Sequence, residues 1–210
     1  MGNMCIKKVI LSICSTNCYI VYDSVSKSGI IIDPADNAKI IDSNVKQLGI
    51  DIKAIFLTHG HFDHIGAAEE LKRMYEVNVY AHEDEALLAA DTIYNLSAAF
   101  DENCSVKVDM TMRDGEDIQI GGFAIKCIHT PGHTKGSCCY LINDGTEERL
   151  FSGDTLFCQS HGRTDFPTGS ERQIYESITK KLLVLDGNLK VYPGHGESTT
   201  IEDEKKWYWR

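Results

Sequence analysis

Three histidines and an aspartate are crowded into residues 58–66, which read THGHFDHIG. Neutral imidazoles and ionised carboxylates are ligands for zinc and for related first-row metal ions. His59 and His61 are two residues apart, so on an extended segment they project to the same side and can share one ion. Asp63 and His64 point elsewhere and could serve a second ion. The alternative is a histidine-rich polar loop, in which these buried groups would need other hydrogen-bonding partners.

The elements around this stretch place it at the end of a strand. Residues 54–57 (AIFL) form a short apolar run before a polar loop that contains glycine, which predicts a buried strand. Residues 65–75 have the apolar spacing of a helix. The four polar side chains therefore lie where a strand ends and a helix begins, the position at which open α/β sheets bind ligands.

Apolar runs and turn residues predict the other elements of an alternating α/β chain. Helices are predicted over residues 35–48, 83–90 and 172–185, the first with Gly49 as its C-cap. Strands are predicted over residues 9–14, 19–23, 29–33, 77–81, 118–120, 123–128, 137–143, 149–153 and 190–192. Residues 91–117 carry the weakest pattern, and we interpret residues 93–97 as an ordinary packed turn rather than a loop near the site.

Three further loops each follow a predicted strand and carry one side chain that could bind a metal. His133 lies at the apex of a Pro-Gly turn in HTPGHTKGS, residues 129–137. Asp154 comes directly after a strand in LFSGDTLF, and a carboxylate there could span two cations. His195 follows a second Pro-Gly turn in VYPGHGE.

These motifs, in this order, resemble the metallo-β-lactamase-fold hydrolases. H-x-H-x-D-H, T-P-G-H-T-x-G-S, S-G-D-T and Y-P-G-H-G together extend over most of the chain. The resemblance implies an α/β fold, the αβ/βα four-layer sandwich, as a single domain over residues 1–210. It also implies two divalent metal ions. The first would be bound by His59, His61 and His133, and the second by Asp63, His64 and His195. Asp154 would lie between the two ions. The lack of a cysteine at position 154 argues against a β-lactam substrate.

Such a site would hydrolyse a carbonyl substrate. Two cations about 3.5–4 Å apart can share a hydroxide, and zinc is the expected metal, with iron and manganese as alternatives. Asp63 would orient the hydroxide and take its proton, which makes it the candidate catalytic residue. A thiolate needs no acid to leave, because thiols have a pKa of about 8.5. We therefore expect a thioester hydrolase similar to hydroxyacylglutathione hydrolases.

The loop at residues 158–170, CQSHGRTDFPTGS, resembles glyoxalase II-like and persulfide dioxygenase-like members of the family. In the glyoxalase II group a basic residue of this loop binds the glutathione carboxylate, and Arg163 stands at the corresponding place. Arg163 would then bind an anionic substrate, and the alternative is a loop clamp with Asp165. Cys158 and His161 either line the pocket or pack behind it. The sequence ends without the extra helical domain of eukaryotic glyoxalase II, so the resemblance is to short, single-domain members and leaves the thiol open.

Two other functions remain as alternatives at this point. Persulfide dioxygenase-like members share the GRTDF motif and use only some of the metal-binding residues, for one iron ion. A non-catalytic metal-binding domain would instead have a closed coordination sphere, with no open position for water.

Composition limits the partners. The chain has 31 acidic and 21 basic residues, a net charge of −10, which argues against nucleic acid and anionic membranes. It contains no apolar run of membrane-spanning length and no recognisable signal peptide. Its eight cysteines, without a CxxC pair, indicate a reducing cytoplasm. We expect a small-molecule substrate, specifically an anionic thioester. Trp207 and Trp209 could form a contact between copies of the chain in a homo-oligomer.

Overall fold

A computed structural model describes residues 3–11 and 14–209 of the chain. Its first sheet has six strands in chain order: β1 (Met4–Leu11), β2 (Thr16–Asp23), β3 (Ser28–Ile32), β4 (Asp51–Phe56), β5 (Asn78–His82) and β6 (Met110–Met112). Strands β1 to β3 pair antiparallel, whereas β3 to β6 pair parallel. The strand predicted over residues 9–14 begins earlier, at Met4, and is described as far as Leu11. Residues 12 and 13 lie outside the described residues.

The second sheet is also six-stranded. Its members are β7 (Asp117–Ile120), β8 (Phe123–His129), β9 (Cys138–Asn143), β10 (Glu148–Gly153), β11 (Lys190–Pro193) and β12 (Thr199–Thr200), and their spatial order is the reverse of their chain order. Neighbours pair antiparallel except β10 and β11, which are parallel. The predicted strands between residues 118 and 192 are confirmed within one or two residues of their ends.

Six helices cover the outer faces of the sheets: α1 (Ala38–Leu48), α2 (Phe62–Ile65), α3 (Ala68–Tyr75), α4 (Ala86–Ala90), α5 (Glu171–Ser177) and α6 (Ile201–Tyr208). α1 begins three residues later than predicted, because the Asn37 side chain caps it by accepting the Ile40 N–H. It ends at Gly49, whose φ of 66° is the left-handed conformation expected of a C-cap. α5 continues through residues 178–182 as a wider helical turn, close to the predicted end.

The predicted helix over residues 65–75 is divided into α2 and α3. Gly66 ends α2, and a Cβ there would lie 2.3 Å from the Ala35 carbonyl oxygen. The chain at this point packs directly on the loop after β3, and the Ala67 N–H donates to the Pro34 carbonyl (2.9 Å) instead of continuing the helix. The predicted helix over residues 83–90 likewise begins as a tight turn, Glu83–Glu85, before α4.

Three apolar clusters lie between the four layers of the fold. Between the two sheets lie buried side chains that include Ile30, Phe56, Phe123 and Tyr140. A second cluster joins the first sheet to α1 and α3, and a third joins the second sheet to α5 and α6. The layers are therefore helix, sheet, sheet, helix, which confirms the αβ/βα sandwich. No helix among the described residues is long and apolar enough to cross a membrane.

Residues 91–109 are held by polar contacts rather than by a repeating apolar pattern. The buried amide of Asn95 donates to the Cys104 carbonyl (2.8 Å) and accepts the Ser97 N–H (2.8 Å). The Asn95 carbonyl accepts the Phe62 N–H (2.9 Å), which ties this segment to the start of α2. The short strand β6 that follows was not predicted.

Candidate metal centre

The four polar loops meet at one edge of the sandwich, beyond the ends of β4, β8, β10 and β11. The two sheets approach closely there: a Cβ on Gly153, whose φ is 48°, would lie 2.2 Å from Thr58 Oγ1. Only glycine fits this position without strain. All seven residues predicted as ligands are brought together by this arrangement: His59, His61, Asp63, His64, His133, Asp154 and His195.

The first group consists of His59, His61 and His133. One ligand nitrogen from each ring lies within 4.8 Å of the other two. The ring of His59 lies 4.9 Å from that of His61 and 4.7 Å from that of His133, centroid to centroid. All three side chains are at most 3% exposed. Three converging imidazole nitrogens of this kind can hold one divalent ion.

The second group consists of Asp63, His64 and His195. His195 Nε2 lies 3.3 Å from His64 Nε2 and 3.5 Å from Asp63 Oδ2. His64 Nε2 lies 3.8 Å from the same carboxylate oxygen. One carboxylate oxygen and two imidazole nitrogens therefore face a common point, which suits a second divalent ion.

Asp154 lies between the two groups. Its Oδ2 is 3.6 Å from His133 Nε2 and 3.4 Å from His195 Nε2, while its Oδ1 is 3.4 Å from His64 Nε2. A Cβ on Gly194 would lie 2.3 Å from Asp154 Oδ1, so the turn before His195 closes directly over the carboxylate. The geometry is that of a carboxylate able to span two cations.

Hydrogen bonds to Nδ1 orient four of the five rings, and that of His59 Nδ1 is to the Thr58 hydroxyl (3.2 Å). His64 Nδ1 donates to Asp33 Oδ2 (3.0 Å), and Asp33 also accepts the N–H and hydroxyl of Thr58 (2.8 and 2.7 Å). His133 Nδ1 donates to the Arg163 carbonyl (2.7 Å) and His195 Nδ1 to the Cys14 carbonyl (3.1 Å). Each bond keeps a proton on Nδ1, so Nε2 is the nitrogen that can bind a metal. The contact between Asp33 and His64 was not predicted, because in the sequence Asp33 is recognisable only as the end of a strand.

The electrostatic field differs between the two groups. Burial lowers the pKa of His59 well below its usual range and that of His61 to about 3, helped by the neighbouring rings. Burial also lowers the pKa of His64 and His195, but nearby carboxylates outweigh it and raise that of His195 to about 9. Burial raises the pKa of Asp154, yet the surrounding histidines bring it well below its usual value. The carboxylates of Asp63 and Asp154 are thus ionised and His59 and His61 are neutral, as cation binding requires.

Buried polar atoms without a hydrogen-bond partner are concentrated here. In residues 3–11 and 14–209 they are Asn17 Oδ1, His59 Nε2, His61 Nε2 and Asp154 Oδ1. Three of these four atoms belong to the candidate ligands. Native proteins rarely leave such atoms unpaired, so these residues fit a pair of divalent cations.

A cavity of about 280 Å³ opens over both groups. Its wall is rich in aromatic and aliphatic side chains: Phe62, Leu96, Phe100, Phe157 and Phe166. The rings of Phe62 and Phe100 stack with centroids 4.7 Å apart. Leu96 and Phe100 come from the segment around residues 93–97 that was interpreted as a packed turn, so that interpretation missed its place beside the site.

Arg163 lines the cavity, but its guanidinium is engaged by neighbours. It donates from Nε and Nη2 to the two oxygens of Asp165 (both 2.7 Å) and lies 3.8 Å from the centre of the Phe166 ring. This is the loop clamp weighed as the alternative, so a substrate carboxylate would have to compete with Asp165. His161 packs behind the cavity, with Nδ1 3.0 Å from the Tyr208 hydroxyl, and Cys158 is exposed.

The fold and this constellation of histidines and aspartates define a class of metal-dependent hydrolases. The family model described as the metallo-beta-lactamase superfamily matches residues 11–195, and the chain belongs to that family. It is 32% identical over 196 residues to the hydroxyacylglutathione hydrolase GloC of Haemophilus influenzae, covering 90% of each chain.

Two solved structures share the architecture. The structure described as the BLEG-1 B3 metallo-beta-lactamase superimposes with a TM-score of 0.90 at 34% identity, covering 96% of this chain and 97% of that one. TTHA1623 in a di-iron-bound form superimposes with a TM-score of 0.80 at 30% identity, covering 95% and 97%.

Proposed function

We propose that this chain is a binuclear metal-dependent hydrolase of thioesters. The observation that carries the proposal is the convergence of seven ligand side chains, three of them with unpaired buried atoms, beneath an open cavity. In this proposal the first ion is held by His59, His61 and His133, the second by Asp63, His64 and His195, and Asp154 lies between the ions. Nitrogen and carboxylate donors suit zinc, with iron or manganese as alternatives.

Ions bound there would polarise the scissile carbonyl and lower the pKa of a water molecule toward 7. The chain itself provides a base and a substrate cavity. Asp63 Oδ2 faces the cavity edge, where it accepts a hydrogen bond from Thr16 Oγ1 (3.3 Å), and it would take the proton of the attacking water. Burial raises the pKa of Asp63, but the neighbouring histidines His64 and His195 bring it below its ordinary value, so the carboxylate is ionised near neutral pH.

A thioester is favoured over an amide because its leaving group needs no acid. A thiolate leaves unprotonated near neutral pH, since thiols have a pKa of about 8.5, whereas an amide nitrogen must be protonated. The aromatic cavity wall suits the apolar parts of an acyl group or thiol. The similarity to GloC, described as a hydroxyacylglutathione hydrolase, supports the same class. An anionic thioester, a cytoplasmic location and a homo-oligomer stay predictions.

A second candidate activity is hydrolysis of β-lactams, favoured by the similarity to BLEG-1. The cavity opening above both groups argues against the non-catalytic metal-binding domain, which needs a closed coordination sphere. The iron-dependent persulfide dioxygenase needs only part of the ligand set, and the complete second group favours the hydrolase over it.

The test compares substrates on one preparation. Purified protein is loaded separately with zinc, manganese and ferrous iron and given S-lactoylglutathione or a chromogenic cephalosporin. We expect loss of the thioester bond with at least one metal and its absence in Asp63→Ala. Turnover of the cephalosporin without turnover of the thioester would transfer the proposal to β-lactams, and oxygen consumption on a persulfide by the iron form alone would transfer it to the dioxygenase.

A further inference from the structure

Glu85 is a fully buried acid that the proposed mechanism does not use. It ends the tight turn Glu83–Glu85 between β5 and α4. Burial raises the pKa of Glu85 to about 7 although hydrogen bonds from neighbouring residues lower it. A buried carboxylate lowers the free energy of unfolding unless its oxygens accept hydrogen bonds. The hydrogen-bond partners of Glu85 therefore indicate its role.

One carboxylate binds both loops of the first histidine group. Glu85 Oε1 accepts the N–H of Gly60 (2.8 Å), the residue between His59 and His61. The hydroxyl of Thr134, the residue after His133, donates to the same carboxylate at 3.0 Å from Oε1 and 2.9 Å from Oε2. The backbone of Gly136 also lies against it, since a Cβ there would lie 2.5 Å from Glu85 Oε2. Glu85 therefore joins segments that are more than 70 residues apart in the chain.

Both loops also pack on the backbone around Glu85 without intervening side chains. A Cβ on Gly60 would lie 2.8 Å from Ala89 Cα, and a Cβ on Gly136 would lie 2.5 Å from Glu85 Oε2. These glycines bring their backbones close to the carboxylate. The distance between the loops is thus fixed from the side of the histidines that faces away from the cavity.

We propose that Glu85 is a positioning residue for the first metal ion, which it serves by setting the separation of the His59–His61 loop and the His133 loop. The proposal rests on the metal centre of the proposed function and not on the thioester reaction. The second group is oriented by other partners, Asp33 and the Cys14 carbonyl. Loss of the Glu85 contacts should therefore weaken binding of the first ion and leave binding of the second ion unchanged.

The test measures zinc affinity on the full chain. Glu85→Gln keeps the shape of the side chain, but its amide group turns a donor toward either the Gly60 N–H or the Gly136 backbone. We expect two equivalents of zinc in the wild type and, in the variant, one equivalent held about 10–100-fold more weakly while the other is unchanged. Titration against a chromophoric chelator resolves the two affinities without any activity assay.

Thr134 gives a milder pair of variants in case Glu85→Gln fails to fold. Thr134→Val removes the hydroxyl donor at nearly constant shape and should weaken the same ion several-fold, whereas Thr134→Ser keeps the hydroxyl and should restore the affinity. Glu204→Gln is the matched control, because Glu204 is another fully buried carboxylate, bonded to Gln159 N–H and Thr199 Oγ1. It should lower the unfolding temperature and leave both zinc affinities unchanged.

Three results would overturn the inference about Glu85. Unchanged affinity of both ions with a lower unfolding temperature would make its role purely structural. Equal weakening of both ions would remove the selectivity that the contacts require. A wild type that binds no zinc would remove the metal centre itself, whereas two tightly bound ions without thioester hydrolysis would refute only the proposed function.

Discussion

Asp33→Asn provides a direct test of how the second metal group is built. Asp33 is 1% exposed and has a φ of 49°, a left-handed conformation that asparagine tolerates well, so the backbone should be unaffected. Its carboxylate accepts three hydrogen bonds, from the Thr58 N–H, the Thr58 hydroxyl and His64 Nδ1. An amide can accept on only one side, so whichever way it turns a buried donor faces its –NH2 group.

The magnitude follows from those three bonds. If the amide oxygen stays toward His64, the N–H of Thr58 loses its acceptor, which costs about 1–3 kcal/mol of folding stability. If the amide turns the other way, His64 must exchange its proton to Nε2, the atom that faces Asp63 and His195. Hydrogen-bond partners of metal-bound histidines contribute about 10–100-fold to metal affinity. We therefore expect the second ion to be weakened by that factor. The first ion should be weakened much less, because Asp33 reaches it only through the Thr58 hydroxyl, which lies 3.2 Å from His59 Nδ1.

The assay is chelator competition with zinc on wild type, Asp33→Asn and Glu85→Gln, with thermal unfolding measured in parallel. The two variants should weaken different ions, so each serves as the control for the other. Wild-type affinity for both ions in Asp33→Asn would refute the role of Asp33. Weakening of the same ion in both variants would refute the division of the ligands into two groups.

Three further outcomes are expected. Asp154→Ala should abolish binding of the metal pair in a zinc titration, and full occupancy of both ions would contradict its place between them. Arg163→Ala should raise KM several-fold for an anionic thioester and leave a neutral ester unchanged; unchanged kinetics for both would leave Arg163 as the partner of Asp165 alone. Burial raises the pKa of Asp144, but hydrogen bonds from Thr146 and neighbouring N–H groups outweigh it and keep the pKa well below its ordinary value. The ionised Asp144 therefore contributes to the free energy of unfolding above about pH 4, and this contribution is lost as the pH falls. Asp144→Asn should reduce the loss of stability at acid pH, measured by urea unfolding. A pH profile identical to that of the wild type would contradict this prediction.

The candidate ligands could be predicted because each lies in a short motif at a strand end. β10 and β11 are parallel neighbours, so their strand ends bring the Asp154 and His195 loops together, whereas the His59–His64 loop follows β4 of the other sheet. The resemblance to the metallo-β-lactamase-fold hydrolases then implied which histidines share an ion. The same resemblance implied the four-layer fold.

The supporting contacts could not be predicted, because their partners are distant in sequence. Asp33 and Glu85 each lie 25 residues from the loop residue that they bind. In the sequence they are an ordinary strand end and one acid among several. Residues 91–109 were also unreadable, since Asn95 organises that segment through backbone contacts that leave no periodic pattern. Leu96 and Phe100 therefore escaped notice as cavity residues.

The account is tested most directly by adding zinc stepwise to the metal-free protein while following hydrolysis of S-lactoylglutathione. Two ligand groups joined by Asp154 predict that activity rises until two equivalents are bound and then stays constant. Full activity at one equivalent would contradict a binuclear centre. Two bound equivalents without hydrolysis would contradict the thioester reaction and leave the metal centre standing.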